Sequence, residues 1–130
     1  MADFQALQEK YKPVVDVIKQ FEGHGAKFDG SELVGEQYHL VAHVPSQVVL
    51  DRVWDAIKQV DPQYADLKHE ITNTGGQEQE YTIAPGDNLS KVSKLFYGNA
   101  NHYEGIAKAS HIANPDKIQV GQKVTVPVLQ

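Results

Sequence analysis

The first twenty-five residues carry apolar side chains at helical spacing. An apolar residue recurs every three or four positions between Phe4 and Phe21, and Asp3 precedes the run as a potential N-cap, so the pattern predicts a helix. Pro13 lies inside this helix, removes one N–H and crowds the carbonyl of Glu9, which predicts a kink or a break into two helices. The glycine-containing residues 22–25 end the element.

Residues 26–72 change to strand spacing, with one further helix. The pattern predicts a short strand at 26–28, a turn-rich connection at 29–36, a strand at 37–44 and a last strand at 65–72. Between the last two strands, Ser46 can cap a helix that Asp61-Pro62 terminates, and its apolar face is formed by Val49, Val53, Ile57 and Val60. Residues 73–80 have the glycine and polar composition of a linker.

The remaining residues, 81–130, have a different pattern, which predicts the order strand, helix, helix, strand. Residues 81–83 form a short β-prone run, and Pro85-Gly86-Asp87 breaks it with turn residues. Asn88 can cap a first helix, which Gly98 ends, and a second helix is predicted from Asn101, with Glu104 completing a capping box. Residues 123–128 close the unit as a strand.

Residues 81–130 closely resemble the LysM module, a small βααβ carbohydrate-binding domain. The resemblance runs through turn and core positions separated by gaps of the right size: Tyr81, Gly86, Asp87, Leu89, Val92, Tyr97, Gly98, Ile106, Asn114, Ile118, Gly121, Gln122 and Pro127. It implies a shallow groove for the N-acetylglucosamine backbone of peptidoglycan or chitin, formed by Gly86, Asp87, Asn88, Leu89, Ile112, Ala113, Asn114, Pro115 and Ile118. Asn88 departs from the family, many members of which carry a hydroxyl residue at that position.

Each groove residue also has a structural explanation when it is taken alone. Asn88 and Asn101 are accounted for as helix caps, and Gly86, Gly98 and Gly121 as turn formers. Only the groove as a whole therefore supports a glycan-binding function, and that support is a family resemblance.

The first seventy-two residues resemble a BON domain, whose members share the order helix, strand, strand, helix, strand. We therefore predict an α+β protein with a BON-like αββαβ domain at 1–72, a linker at 73–80 and a LysM domain at 81–130. A BON domain followed by a LysM domain resembles a small group of bacterial cytoplasmic proteins that includes a potassium-binding protein. This resemblance implies a bound K⁺ ion.

Composition restricts the compartment and the partners. The 130 residues include no cysteine, and the N-terminus has no apolar run of signal-peptide length, so we expect no transmembrane segment and, if Met1 is the native start, a cytoplasmic protein. The net charge is −5, and residues 1–76 are acidic while residues 81–130 are mildly basic without a basic stripe. This distribution argues against nucleic-acid binding, and we expect a monomer.

The candidate catalytic groups do not form a convincing set. His39 and His43 share one face of a predicted strand, but His69 has the parity of the apolar face, which argues against a metal triad. Asp87 lacks a partner carboxylate for glycoside hydrolysis, because Glu104 is explained as a cap, and Asp51 and Asp55 are expected to be solvated. We therefore expect no enzymatic activity.

Three functions remain open: K⁺ binding, binding of peptidoglycan or chitin fragments, and an adaptor role in a phage-tail-like assembly. A K⁺ site would need several converging backbone carbonyls, and the turn-rich residues 29–35 and the chain around Pro13 could supply them. The opposite charges of the two halves suggest that K⁺ would draw the two domains together. The sequence identifies no potassium ligands.

Overall fold

The computed structural model describes residues 3–129 and shows an α+β protein. Its elements in chain order are helix α1 (Phe4–Gln20), a 3₁₀ turn (Glu22–His24), strands β1 (Lys27–Val34) and β2 (Gln37–Val44), helix α2 (Gln47–Val60), strands β3 (Leu67–Asn73) and β4 (Gln79–Thr82), helix α3 (Leu89–Tyr97), a second 3₁₀ turn (Ala100–His102), helix α4 (Tyr103–Ala109) and strand β5 (Lys123–Val126). The chain divides into two compact units, one comprising residues 1–45 and 49–75 and the other residues 46–48 and 76–130. None of the helices found in residues 3–129 has the length and apolar character that a membrane crossing requires.

The first unit contains a three-stranded sheet in the order β1-β2-β3. Strand β2 pairs antiparallel with β1 and parallel with β3, so α2 serves as the crossover connection that a parallel pair needs. The alternation predicted for residues 37–44 is present: Tyr38, Leu40, Ala42 and Val44 are buried. They pack in one core with the apolar faces of the helices, which contribute Leu7, Tyr11, Val14, Ile18, Val49, Val53 and Ile57.

Strand β1 is longer than its sequence predicts. Residues 29–34, predicted as a turn-rich connection, belong to the strand, and the true turn is limited to Gly35 and Glu36. Gly35 has a φ of 62°, which suits a tight two-residue hairpin. A register shift between Phe28 and Gly30 accommodates one extra residue as a bulge, so cross-strand pairing with β2 overrides the local turn preference of the sequence.

Helix α1 continues through Pro13 as one element, so of the two predicted outcomes, a kink or a break into two helices, the break is excluded. Pro13 is exposed, whereas Tyr11 and Val14 on either side of it are fully buried. The carbonyl that loses its partner can therefore be hydrated, while the buried residues hold both halves of the helix against the sheet.

The second unit has the predicted strand, helix, helix, strand order. Strands β4 and β5 pair antiparallel, and α3 and α4 pack around them over a small core of Ile83, Leu89, Val92, Phe96, Ile106, Val124 and Val126. Two local predictions are wrong. Asn99, not Asn101, is the capping residue, because its side chain accepts a hydrogen bond from the backbone N–H of Asn101 (2.9 Å), and β5 ends at Val126, before Pro127.

The segment between the two strand systems is shorter than the predicted linker. Asn73 lies in β3, while Gln79 and Glu80 lie in β4, which leaves residues 74–78 between strands. Thr74 is held to Val44 through its backbone N–H, which donates to the Val44 carbonyl at 2.8 Å. A Cβ atom on Gly75 would lie 1.9 Å from the carbonyl oxygen of Pro45, so the backbone approaches Pro45 more closely than any other residue type allows.

Candidate functional site

The first groove loop is a closed turn that follows β4. The backbone N–H of Asp87 donates to the carbonyl of Ala84 (3.0 Å), with Pro85 and Gly86 at the two central positions and a φ of 86° at Gly86, as a type II turn requires. The Asp87 carboxylate accepts hydrogen bonds from the Ala84 N–H (2.8 Å) and the Tyr81 hydroxyl (2.5 Å). Asp87 therefore stabilises the turn from within, and its carboxylate is already engaged.

Helix α3 begins directly after this turn. The Asn88 side chain accepts a hydrogen bond from the Lys91 N–H at 2.8 Å, which confirms the predicted cap. The Lys91 ammonium donates to the carbonyl oxygen of Gly86 at 2.9 Å. These two contacts fix the turn relative to the first turn of α3, where Leu89 is almost completely buried.

The second groove loop starts at the C-terminal end of α4. His111 adopts a left-handed conformation (φ 57°), its N–H donates to Lys108, and the next N–H, of Ile112, donates to Ala107 at 2.9 Å. This pair of bonds is a Schellman motif, in which glycine is the usual left-handed residue. The sequence contains no glycine at this position, so this helix end could not be located from turn residues alone.

Asn114 shapes the tip of the same loop. Its side-chain oxygen accepts a hydrogen bond from the Asp116 N–H (3.0 Å), and its carbonyl accepts one from the Lys117 N–H (3.0 Å). Asparagine before proline is a common start for such a turn. Asn114 thus presents Pro115 and Asp116 at the end of the loop.

Residues of both loops and of α4 enclose a cavity of about 320 Å³, which is lined by Asn88, Leu89, Ser90, Tyr103, Pro115 and Asp116. This volume lies at the lower end of the range for small-molecule sites. The prediction named Asn88, Leu89 and Pro115, and the structure brings these three together. The other predicted groove residues do not line this cavity: Gly86, Asp87, Ile112, Ala113, Asn114 and Ile118.

Three residues that line the cavity, Ser90, Tyr103 and Asp116, were not predicted from the sequence. Ser90 places a hydroxyl two positions after the one at which LysM members often carry it, and Tyr103 lies within the predicted second helix, outside both predicted loops. Asp116 follows the predicted loop directly. A charged residue next to a predicted loop is the signal that could have identified Asp116, whereas no local signal in the sequence marks Tyr103.

Two tyrosine hydroxyls of this unit, those of Tyr81 and Tyr97, donate hydrogen bonds inside the fold. Burial and the hydrogen bond to Asp87 raise the pKa of Tyr81 to about 12. Burial, with a smaller effect of the Glu78 charge, also raises the pKa of Tyr97, whose hydroxyl donates to the carbonyl of Pro127. Both hydroxyls therefore stay protonated at neutral pH and serve the fold.

The three histidines considered for a metal triad, His39, His43 and His69, do not converge. His69 packs edge-on against the ring of Trp54 on α2, with a centroid distance of 4.6 Å. His39 pairs in register with Lys68, one position before His69, so its side chain points to the opposite face, where its two ring nitrogens lie 3.4 Å from Glu32 and from Glu70. Within residues 3–129 no three histidine or acidic side chains are arranged to hold a metal ion.

Comparison with protein families identifies the domain type of the second unit. Residues 81–127 match the LysM domain, so this segment is a LysM domain. The BON resemblance of the first unit stays a prediction, because the match covers none of it, although the predicted helix, strand, strand, helix, strand order is observed.

Several curated proteins share a stretch of LysM size with this chain. The chain is 49% identical to a protein of Deinococcus radiodurans over 47 residues, which is 36% of this chain and 19% of that protein. It is 47% identical to the potassium binding protein Kbp of Escherichia coli over 51 residues, covering 38% of this chain and 34% of Kbp. It is also 47% identical to an esterase of Mycobacterium tuberculosis over 47 residues, 36% of this chain and 10% of the esterase. The similarity thus spans about a third or less of these relatives.

Proposed function

We propose that this protein is a binding protein whose LysM domain takes up N-acetylglucosamine-containing glycans in the cavity between its two loops. The observation that carries this proposal is the convergence of Asn88, Leu89 and Pro115, three residues of the groove that the family resemblance implies, on one cavity. The cavity walls combine an aromatic ring, a hydroxyl and a carboxylate, and these groups suit a sugar, which has both an apolar ring face and polar edges.

The cavity is small and open, so we expect weak binding of short oligomers. Titration of the isotope-labelled full chain with chitotetraose should shift the backbone amide signals of residues 87–90 and 113–118 most strongly. Shift changes confined to residues 3–72 would exclude the LysM groove as the glycan site.

A blocking variant tests the position of the site. Ser90 lines the cavity and is exposed, so Ser90→Trp should fill the space and abolish the chitotetraose-induced shifts. Lys108→Trp, on an exposed position of α4 outside the lining, is the matched control and should bind like the wild type. Equal binding by both variants would place the glycan elsewhere.

A second candidate function is K⁺ binding, which is supported by the 47% identity with the Escherichia coli potassium binding protein. The supporting similarity covers only 34% of that protein, so the ion-binding activity stays a proposal for this chain. A ligand that binds the folded state raises the melting temperature by mass action. Melting temperatures in K⁺ and Na⁺ at equal ionic strength test it, since equal ionic strength gives equal screening. Identical melting temperatures in the two salts would contradict K⁺ binding.

A further inference from the structure

The LysM domain contains two combinations of an aspartate and a tyrosine that differ in their hydrogen bonding: Asp87 with Tyr81, and Asp116 with Tyr103. The Asp87 carboxylate accepts from the Tyr81 hydroxyl and from a backbone N–H, so both side chains are engaged inside the fold. Tyr103 and Asp116 line the cavity instead. Among residues 3–129, neither the Tyr103 hydroxyl nor the Asp116 carboxylate has a hydrogen-bond or ion-pair partner.

The Asp116 carboxylate lies on an exposed residue at the cavity rim, and the turn formed by Asn114 holds its backbone in place. The Tyr103 ring is half-buried at the start of α4. One carboxylate acceptor and one aromatic ring are therefore available to a ligand. A carboxylate can accept hydrogen bonds from two hydroxyl groups of one sugar, and an aromatic ring packs against the apolar face of a pyranose.

The charge of the cavity is set by Asp116, since it is the one charged residue in the lining drawn from residues 3–129. Lys91 is engaged with the Gly86 carbonyl, and Lys117 is exposed and outside the lining. The N-terminal end of α3 contributes at most about half a positive charge, and Asn88 already accepts one of its N–H groups. Lys91 keeps its positive charge when it donates to a carbonyl, but it lies outside the lining, so Asp116 is the charge that a ligand in the cavity meets most directly.

The geometry points to Tyr103 and Asp116 as the residues that determine glycan specificity: Tyr103 packs against an N-acetylhexosamine ring, and Asp116 selects uncharged N-acetylglucosamine oligomers over glycans that carry a carboxylate, such as the lactyl group of N-acetylmuramic acid. This inference rests on the proposed glycan-binding function and specifies its substrate class. Two unit charges of like sign about 6 Å apart in water disfavour binding by a factor of about three.

Three disaccharides of equal length measure this selection by NMR titration of the full chain. They are diacetylchitobiose, N-acetylglucosaminyl-N-acetylmuramic acid, and the same muramic disaccharide with its lactyl carboxylate converted to an amide. The amide keeps the bulk of the lactyl group and removes its charge. Wild-type protein should bind the amide about three-fold more tightly than the acid.

Substitution of each residue should change a different quantity. Asp116→Asn should bring the amide-to-acid affinity ratio close to one, because it removes the repelling charge. Asp55→Asn, an equal charge change on an exposed position of α2, is the control and should keep the wild-type ratio. Tyr103→Leu keeps an apolar side chain without the aromatic face, so it should weaken all three sugars together by about five-fold and leave the ratio unchanged.

The outcomes separate the specificity inference from the function on which it rests. If the amide-to-acid affinity ratio is the same in wild type and Asp116→Asn, the role of Asp116 is overturned. If the three affinities are unchanged in Tyr103→Leu, the role of Tyr103 is overturned. Glycan binding itself stands in both cases. Absence of binding to all three sugars and to chitotetraose would overturn both the specificity and the proposed function.

Discussion

Two polar clusters, one in each unit, use similar side chains in opposite ways. In the first unit, Lys10 donates to Asp61 (2.9 Å) and to Asp66 (2.7 Å), and the fully buried Tyr11 donates its hydroxyl to Asp66. In the LysM domain, the cavity residues Tyr103 and Asp116 leave their polar groups open to a ligand.

The difference in hydrogen-bond partners separates polar groups that stabilise the fold from polar groups that are available to a ligand. The Tyr11 ring also stacks on Tyr38 with a centroid distance of 5.7 Å, so the cluster around Asp66 joins α1 to the sheet and to the segment before β3. A polar group whose partners are all internal stabilises the fold, and its removal leaves those partners unsatisfied. A polar group that faces a cavity without a partner can be changed at little cost to stability, because water or a ligand serves as its partner.

The largest expected effect concerns the close backbone contact at Gly75. Gly75→Ala should lower the free energy of unfolding of the first unit by about 3 kcal/mol, because the added Cβ would lie 1.9 Å from the Pro45 carbonyl oxygen. Urea unfolding followed by the fluorescence of Trp54, the single tryptophan, measures this change. Gly76→Ala is the matched control, since its Cβ would meet no atom within 4 Å; equal effects of the two substitutions would contradict the contact.

Truncation of the two aspartates tests the comparison between the clusters directly. Asp66→Ala should destabilise the first unit by about 2 kcal/mol, because the buried Tyr11 hydroxyl and Lys10 each lose a hydrogen-bond partner. Asp116→Ala should change stability by less than about 0.5 kcal/mol. Urea unfolding, with Trp54 fluorescence for the first unit and NMR signals for the LysM domain, gives both values. A larger loss for Asp116 would mean that its carboxylate serves the fold.

Acid should weaken the cluster around Asp66. Burial opposes ionisation of Asp66, but hydrogen bonds from Lys10 and Tyr11 outweigh it and hold the pKa of its carboxyl below the ordinary 3.8. The folded pKa is thus below the unfolded one, so the contribution is present above about pH 4 and is lost as the pH falls through the folded pKa. The stability difference between wild type and Asp66→Asn should therefore shrink below about pH 4 in urea unfolding; a difference independent of pH would contradict the assignment.

The smallest expected effect concerns the left-handed residue at the end of α4. His111→Gly should stabilise the LysM domain by about 0.5 kcal/mol, because glycine accepts a φ of 57° without the steric cost that a side chain pays. Amide hydrogen exchange of α4 in the full chain measures the change. Lys108→Gly, at an exposed position inside α4, is the control and should not stabilise, because a helical residue gains nothing from glycine. Faster exchange in His111→Gly would contradict the strain argument.

Much of the fold follows from local sequence signals. Strand β2 has the bounds predicted from its alternation, and the caps at Asp3, Asn88 and Gly98 were identified from residue type because each cap satisfies backbone groups within four residues. Predictions of local structure failed where contacts with a segment distant in the sequence determine the conformation. The turn-like residues 29–34 became a strand because β2 offers a full set of hydrogen bonds, and Pro13 did not interrupt α1 because the sheet holds both halves of the helix.

The sequence by itself determined the order of elements, the LysM domain and the position of the two loops that contribute to its cavity, because spacing, caps and turn residues act over a few neighbours. Only the tertiary structure decided which polar side chains of those loops are free. Asp87 stands two residues after Pro85 and Asp116 directly after Pro115, so both lie in a turn-forming stretch of the sequence. Folding places the Tyr81 hydroxyl beside Asp87 and leaves Asp116 at a cavity with Tyr103 from α4, since hydrogen bonding depends on distances between side-chain atoms, which the order of residues does not give.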